Sequence, residues 1–197
     1  MDWWGPFSVP SLDGHTNMLT ITDEATRKTW VLFGARRELF RLFTEWKNAI
    51  ELKTGLKIKV GRSDNRPEFR TLAAQLAPGG IRWEFTSFYF QEQNRVPKRL
   101  NRTLITLSRA MLLACKLPLK FWADAAATAC YIRNRTPVGP DGITPEEAFT
   151  GRKPSIAHLR VFGCLVYARV PKENRDNKMV PTAVQCVFIG YKTSTRQ

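Results

Sequence analysis

Two groups of residues in this chain have the type and spacing to do chemistry. Asp64 follows the alternating run Leu56-Lys57-Ile58-Lys59-Val60, which places a carboxylate where a strand ends. Carboxylates gathered at the end of a sheet can hold hard divalent cations, although an aspartate there can equally cap a turn. The second group is a basic run, with no acid between Gln93 and Ala123. Projected at about 100° per residue, Leu100, Leu104, Leu107 and Met111 form one narrow apolar stripe. Arg95, Lys98, Arg99, Arg102 and Arg109 fall on the opposite side. A solvated helix face normally mixes signs, and this one does not. Phosphate contact is the favoured use, with plain solvation as the alternative. Lys57, Lys59, Arg62, Arg66 and Arg70 are candidates to extend the same patch.

Composition narrows the partners. Lysine and arginine number 31 against 17 acids in 197 residues, a formal net charge of +14 that favours a polyanion, nucleic acid first. A 43% hydrophobic content with 12 Phe and 6 Trp calls for a packed core, with the tryptophans inside it rather than stacked on bases. Cys115, Cys130, Cys164 and Cys186 are widely spaced, and neither His15 nor His158 stands near one of them. That pattern supports neither a zinc site nor a disulfide framework, and free thiols are expected. The residues around Met1-Asp2-Trp3-Trp4 do not form a signal peptide, and no apolar run approaches the ~20 residues needed to cross a bilayer. A soluble intracellular chain that is not secreted is the expectation. Phosphate-binding loops of the Walker type, Gly-x-Ser-x-Gly elbows and His-Glu-x-x-His helices do not occur.

The elements that must position these residues follow from periodicity. Residues 17–22 and 29–33 read as strands joined by the turn at 23–28, a hairpin. Residues 36–53 have helical spacing and end at Gly55, 56–60 alternate as a strand, 68–76 form a short helix, and 81–85 a brief strand. Helices are expected over 98–115 and 119–133, with a proline-initiated turn of helix at 145. The runs 159–164, 165–170 and 183–191 read as strands of a small β unit. This order gives an α/β layer around one sheet, with a β appendage.

An ordered series of motifs then becomes visible. Asp2 precedes Gly5-Pro6, and Asp23-Glu24-Ala25-Thr26-Arg27 with Trp30 follows. Next come Arg62-Ser63-Asp64-Asn65 with Glu68-Phe69, and Asn94, Val96 and Arg99 with Asn101-Arg102-Thr103-Leu104. Phe121-Trp122-Ala123, Asn134-Arg135-Thr136-Pro137, Thr144-Pro145-Glu146 and Lys153-Pro154-Ser155 continue the series. Leu159-Arg160-Val161-Phe162-Gly163-Cys164 and Val187-Phe188-Ile189-Gly190-Tyr191 close it. The series resembles the integrase region of copia-type retrotransposon Gag-Pol polyproteins across nearly the whole chain.

The resemblance implies an α/β, RNase H-like three-layer core with a mixed five-stranded sheet, followed by a small partial β-barrel-like unit. It implies metal-dependent end processing and strand transfer, in which two Mg2+ or Mn2+ ions serve a phosphodiester displacement. It assigns Asp2 and Asp64 as the first two catalytic and metal ligands. It also lays the basic helix against DNA, with self-association and a nuclear location as further implications.

Several positions depart from the family pattern. Where the family has a third carboxylate, this chain has Lys98, whose ammonium cannot ligate a cation. Lys98 is expected to pair with Asp2 or Asp64, or else to face solvent; Glu92 is the one acid nearby that could substitute. A glycine following Asp64-Asn65 is replaced by Arg66, and another is replaced by Arg95, so both loops are expected to change shape. Only Met1 precedes Asp2 in this sequence, so a first strand of about half the family's length, without the family's upstream zinc-binding segment, is expected. The expected division is a core at 1–135, a connector at 136–153 and the β unit at 154–197. The expected function is nucleic-acid binding, to DNA or RNA, with strand transfer impaired. The alternatives are an active enzyme using Glu92, a domesticated non-catalytic binder, and a decayed relic.

Overall fold

A computed structural model describes residues 1–86, 95–175, 177, 179 and 181–191, with the backbone alone for 95–97. Three antiparallel strands, β1 (Asp2–Trp4), β2 (Asn17–Thr22) and β3 (Thr29–Gly34), form the first sheet. The β2–β3 hairpin turns where Asp23 Oδ2 accepts from the Thr26 amide and hydroxyl, and Arg27 takes a left-handed φ of 61°. Helix α1 (Leu39–Thr54) follows a short 3-10 turn and ends at Gly55, whose φ of 70° is the left-handed cap that glycine adopts without a Cβ penalty.

Strands β4 (Val60–Ser63) and β5 (Arg82–Phe85) run parallel and are joined through α2 (Pro67–Leu76). The expected strand over 56–60 is therefore displaced toward the C-terminus. Its first residues are tied to α1 instead, because the Ile58 amide donates to Glu51 Oε1 at 2.9 Å. Among the described residues strands β1–β5 register as two sheets, of three and of two strands, rather than as the single five-stranded sheet that the resemblance implied. Strand β1 has only three residues, and its bond toward β4 is the Met1 amino group donating to the Arg62 carbonyl at 2.7 Å.

Helices α3 (Arg95–Cys115) and α4 (Trp122–Arg133) pack together over the first sheet. Ala123, Ala125, Ala126 and Ala129 are fully buried, and side chains that small let α4 approach its neighbours closely. Leu100, Leu104 and Leu112 are buried as well, but Leu107 of the expected stripe is 38% exposed. The buried face is rotated toward Asn101 and Ser108, two polar residues, of which Ser108 donates to the Leu104 carbonyl at 2.6 Å. A second core lies between the strands and helices α1 and α2, around Trp3, Phe43, Trp46, Phe69 and Leu72.

Beyond the short helix α5 (Pro145–Thr150), strands β6 (Leu165–Arg169) and β7 (Ala183–Val187) form an antiparallel hairpin. Residues 159–164 were expected as a strand and are not one. Turn bonds from Leu159 to the Ile156 carbonyl and from Cys164 to the Val161 carbonyl take their amides, and Gly163 has a φ of 82°. All four cysteines are free; burial pushes the Cys130 thiol up to about 12.

Candidate nucleic-acid interface and carboxylate pair

Asp2 lies on β1, and Asp64 lies just beyond the end of β4. The two carboxylates are close enough to repel. Burial raises the Asp2 carboxyl above its ordinary range, the charge on Asp64 raises it further, and the Asn101 bond and Arg66 charge oppose the rise. Each of the four carboxylate oxygens faces a donor. Asp2 Oδ1 accepts from the Trp3 amide at 2.9 Å, and Asp2 Oδ2 accepts from Asn101 Nδ2 at 2.7 Å. Asp64 Oδ1 lies 3.4 Å from the Arg66 amide, and Asp64 Oδ2 lies 3.0 Å from Arg66 Nε.

The cation at this pair is thus Arg66. Its guanidinium also donates to the Trp3 carbonyl at 3.2 Å, spanning from the end of β4 to β1. Lys98 is exposed and, among the described residues, makes no ion pair with Asp2 or Asp64. Arg66 causes no backbone strain, since its φ of −71° and ψ of 151° are open to any L-residue and suit the start of α2. Glu92 lies outside the described residues. Among those described, no three His, Cys, Asp or Glu side chains gather into a metal-holding group. Two engaged carboxylates, a guanidinium and a carboxamide do not fit the divalent ions that the resemblance implied.

Sequence reasoning missed Asn101 as a site residue. The available signal was an asparagine beside the apolar stripe, one turn beyond Lys98, where a fully buried amide needs a partner. Arg66 was assigned to the phosphate-binding patch rather than to the acid beside it. Most of that proposed extension is neutralised internally. Lys57 pairs with Glu51, Arg62 with Glu24 and Glu84, and Arg66 with Asp64, whereas Arg70 Nε donates to the uncharged Asn65 Oδ1 at 2.7 Å.

The outer face of α3 keeps its charge. Lys98, Arg99, Arg102 and Arg109 are exposed, and among the described residues none of them forms an ion pair. The Arg95 side chain lies outside the described residues. The tryptophans sit mostly inside, with Trp3, Trp46 and Trp122 buried and Trp30 and Trp83 half-buried, while Trp4 is exposed.

An acid on the first strand, a second acid after the fourth and the long helix α3 packed beside β1 define the candidate site of an α/β core. The chain is similar to the retrovirus-related Pol polyprotein from transposon TNT 1-94 of Nicotiana tabacum, 39% identical over 197 residues, 96% of this chain and 14% of that polyprotein. Residues 164–197 match the retroviral polymerase SH3-like domain. The fold resembles the simian T-cell lymphotropic virus intasome in complex with PP2A regulatory subunit B56 gamma. The TM-score is 0.55 at 14% identity, over 77% of this chain and 55% of that one. It also resembles the HTLV-2 integrase catalytic core domain in complex with magnesium, trimeric form. There the TM-score is 0.50 at 18% identity, over 75% of this chain and 94% of that one. The resemblance to the integrase region of retrotransposon Pol polyproteins is thus borne out as a similarity: the chain matches 14% of the length of the tobacco polyprotein, and its α/β fold is like that of integrase cores.

Proposed function

We propose that this chain binds nucleic acid through the outer face of α3 and is impaired in strand transfer. The observation that carries the reading is that face itself: Lys98, Arg99, Arg102 and Arg109 are exposed, of one sign and without ion pairs among the described residues. Cations that are not neutralised internally gain most from phosphates, because each contact releases condensed counterions. The impairment rests on Lys98, which stands where the family has its third carboxylate.

Residues 1–135 act as the catalytic-core unit, 136–153 as a connector, and 154–197 as a small barrel-like unit, which the SH3-like match and the β6–β7 hairpin support. DNA is the principal ligand, with RNA open to the same phosphate contacts, and the nucleus is the proposed location. Self-association is proposed by analogy with the trimeric HTLV-2 core.

The test is a fluorescence-anisotropy titration of a labelled duplex, run in EDTA and again in Mn2+, alongside a strand-transfer assay. Equal binding in both solutions without strand-transfer product is expected. Binding that requires the metal, or product formation, would refute the reading.

A further inference from the structure

We infer that Arg66 is the carboxylate pair's own cation, and that divalent-metal binding at Asp2 and Asp64 is a latent property unmasked when its guanidinium is removed. This goes beyond the nucleic-acid reading, because α3 could bind phosphates with or without it.

A divalent ion binds through carboxylate lone pairs, and at Asp64 Oδ2 that position is held by Arg66 Nε at 3.0 Å. The same guanidinium reaches the Trp3 carbonyl at 3.2 Å and acts electrostatically on Asp2, so one positive group serves both acids. Asp64 is partly buried, with 23% of its side chain exposed, and a carboxylate in that setting needs a compensating charge. A tethered arginine supplies it without the translational cost of a free ion and without stripping a hydration shell. It also places a like charge where a metal would arrive.

The arginine is seated without strain. Its backbone precedes α2 in an extended conformation, and the Phe69 and Arg70 amides donate to its carbonyl at 3.1 and 3.2 Å. Those bonds involve the main chain, so they survive a change of side chain. Arg66→Gly therefore removes the cation and leaves the start of α2 intact. The freed Asp64 oxygen, together with Asp2, then presents a two-carboxylate site of hard oxygen donors suited to Mn2+ or Mg2+.

The experiment measures Mn2+ binding directly, from the electron paramagnetic resonance signal of the free ion, on the full chain and its variants without nucleic acid. Arg66→Gly is expected to bind Mn2+ about tenfold more tightly than the parent, the scale of one lost ion pair plus one relieved repulsion. Adding Asp64→Asn to Arg66→Gly should return binding to the parental level. Arg66→Gln, which keeps a side chain but no charge, should behave like Arg66→Gly and gives the reading if the glycine variant fails to fold. Parent binding as tight as that of the variants would overturn the inference, as would a gain that survives Asp64→Asn. If both Arg66 variants unfold, the arginine is a structural strut and the inference also falls. None of these failures alters duplex binding by α3, so the two readings are judged separately.

Discussion

The side-chain amide of Asn101 donates to Asp2 Oδ2 at 2.7 Å, so the middle of the basic helix is joined to the first strand through a polar contact beneath the surface. Asn101 is fully buried and Asp2 half-buried, and truncating the amide strands a carboxylate that water reaches poorly. Asn101→Ala should lower the unfolding free energy by about 1–3 kcal/mol, the usual cost of leaving a buried acceptor unsatisfied. Urea denaturation checks this, and a loss near zero would mean that water replaces the amide freely.

Glu51 supplies the clearest pH dependence. Its carboxylate accepts from the Ile58 amide and from Lys57 and Lys47, and these bonds hold its pKa down at about 2, from an ordinary 4.5. A depressed carboxyl stabilises the fold above its unfolded pKa and loses that contribution as pH falls through the folded value. Glu51→Gln should therefore melt below the parent near pH 7, with the gap narrowing as the pH falls from about 5 to about 2. Thermal melts at several pH values decide it, and a gap independent of pH would contradict the assignment.

Gly190 fixes the C-terminal unit against α4. It has a φ of 135°, and a Cβ there would stand 2.6 Å from Thr128 Oγ1, while the neighbouring Tyr191 ring stacks on Tyr131 at 4.3 Å. Gly190→Ala should cost about 1–3 kcal/mol through strain and overpacking. The expected readout is faster proteolysis within residues 164–191, with cleavage of the α1–α2 region unchanged. Protection equal to the parent's in the C-terminal unit would show that the backbone there relaxes at no cost.

What the sequence made legible was largely local. The β2–β3 hairpin, α1 with its Gly55 cap and the two long helices follow from periodicity and capping, which act over a few residues. The displaced β4 and the missing strand at 159–164 were hidden, because neither the Ile58 amide bond to Glu51 nor the left-handed turn at Gly163 leaves a mark in the hydrophobic periodicity. At the site, the positions of Asp2 and Asp64 could be read from motifs. Their partners could not, since Lys98 and Arg66 are both plausible cations in the sequence, and only the fold decides which one reaches the acids. The rotation of α3 that buries Asn101 and exposes Leu107 is likewise a tertiary choice, made where α3 meets β1 and α4.

Whether the outer face of α3 touches phosphates is tested most directly by the salt dependence of duplex binding. Contact with about three or four phosphates gives a slope of log K against log salt near −3, since each contributes about −0.9. Replacing Arg99 and Arg102 with alanine should flatten the slope by about two contacts' worth. The melting temperature should stay nearly unchanged, because both side chains are exposed. A double variant with the parental slope would contradict the account and leave this face as solvated surface.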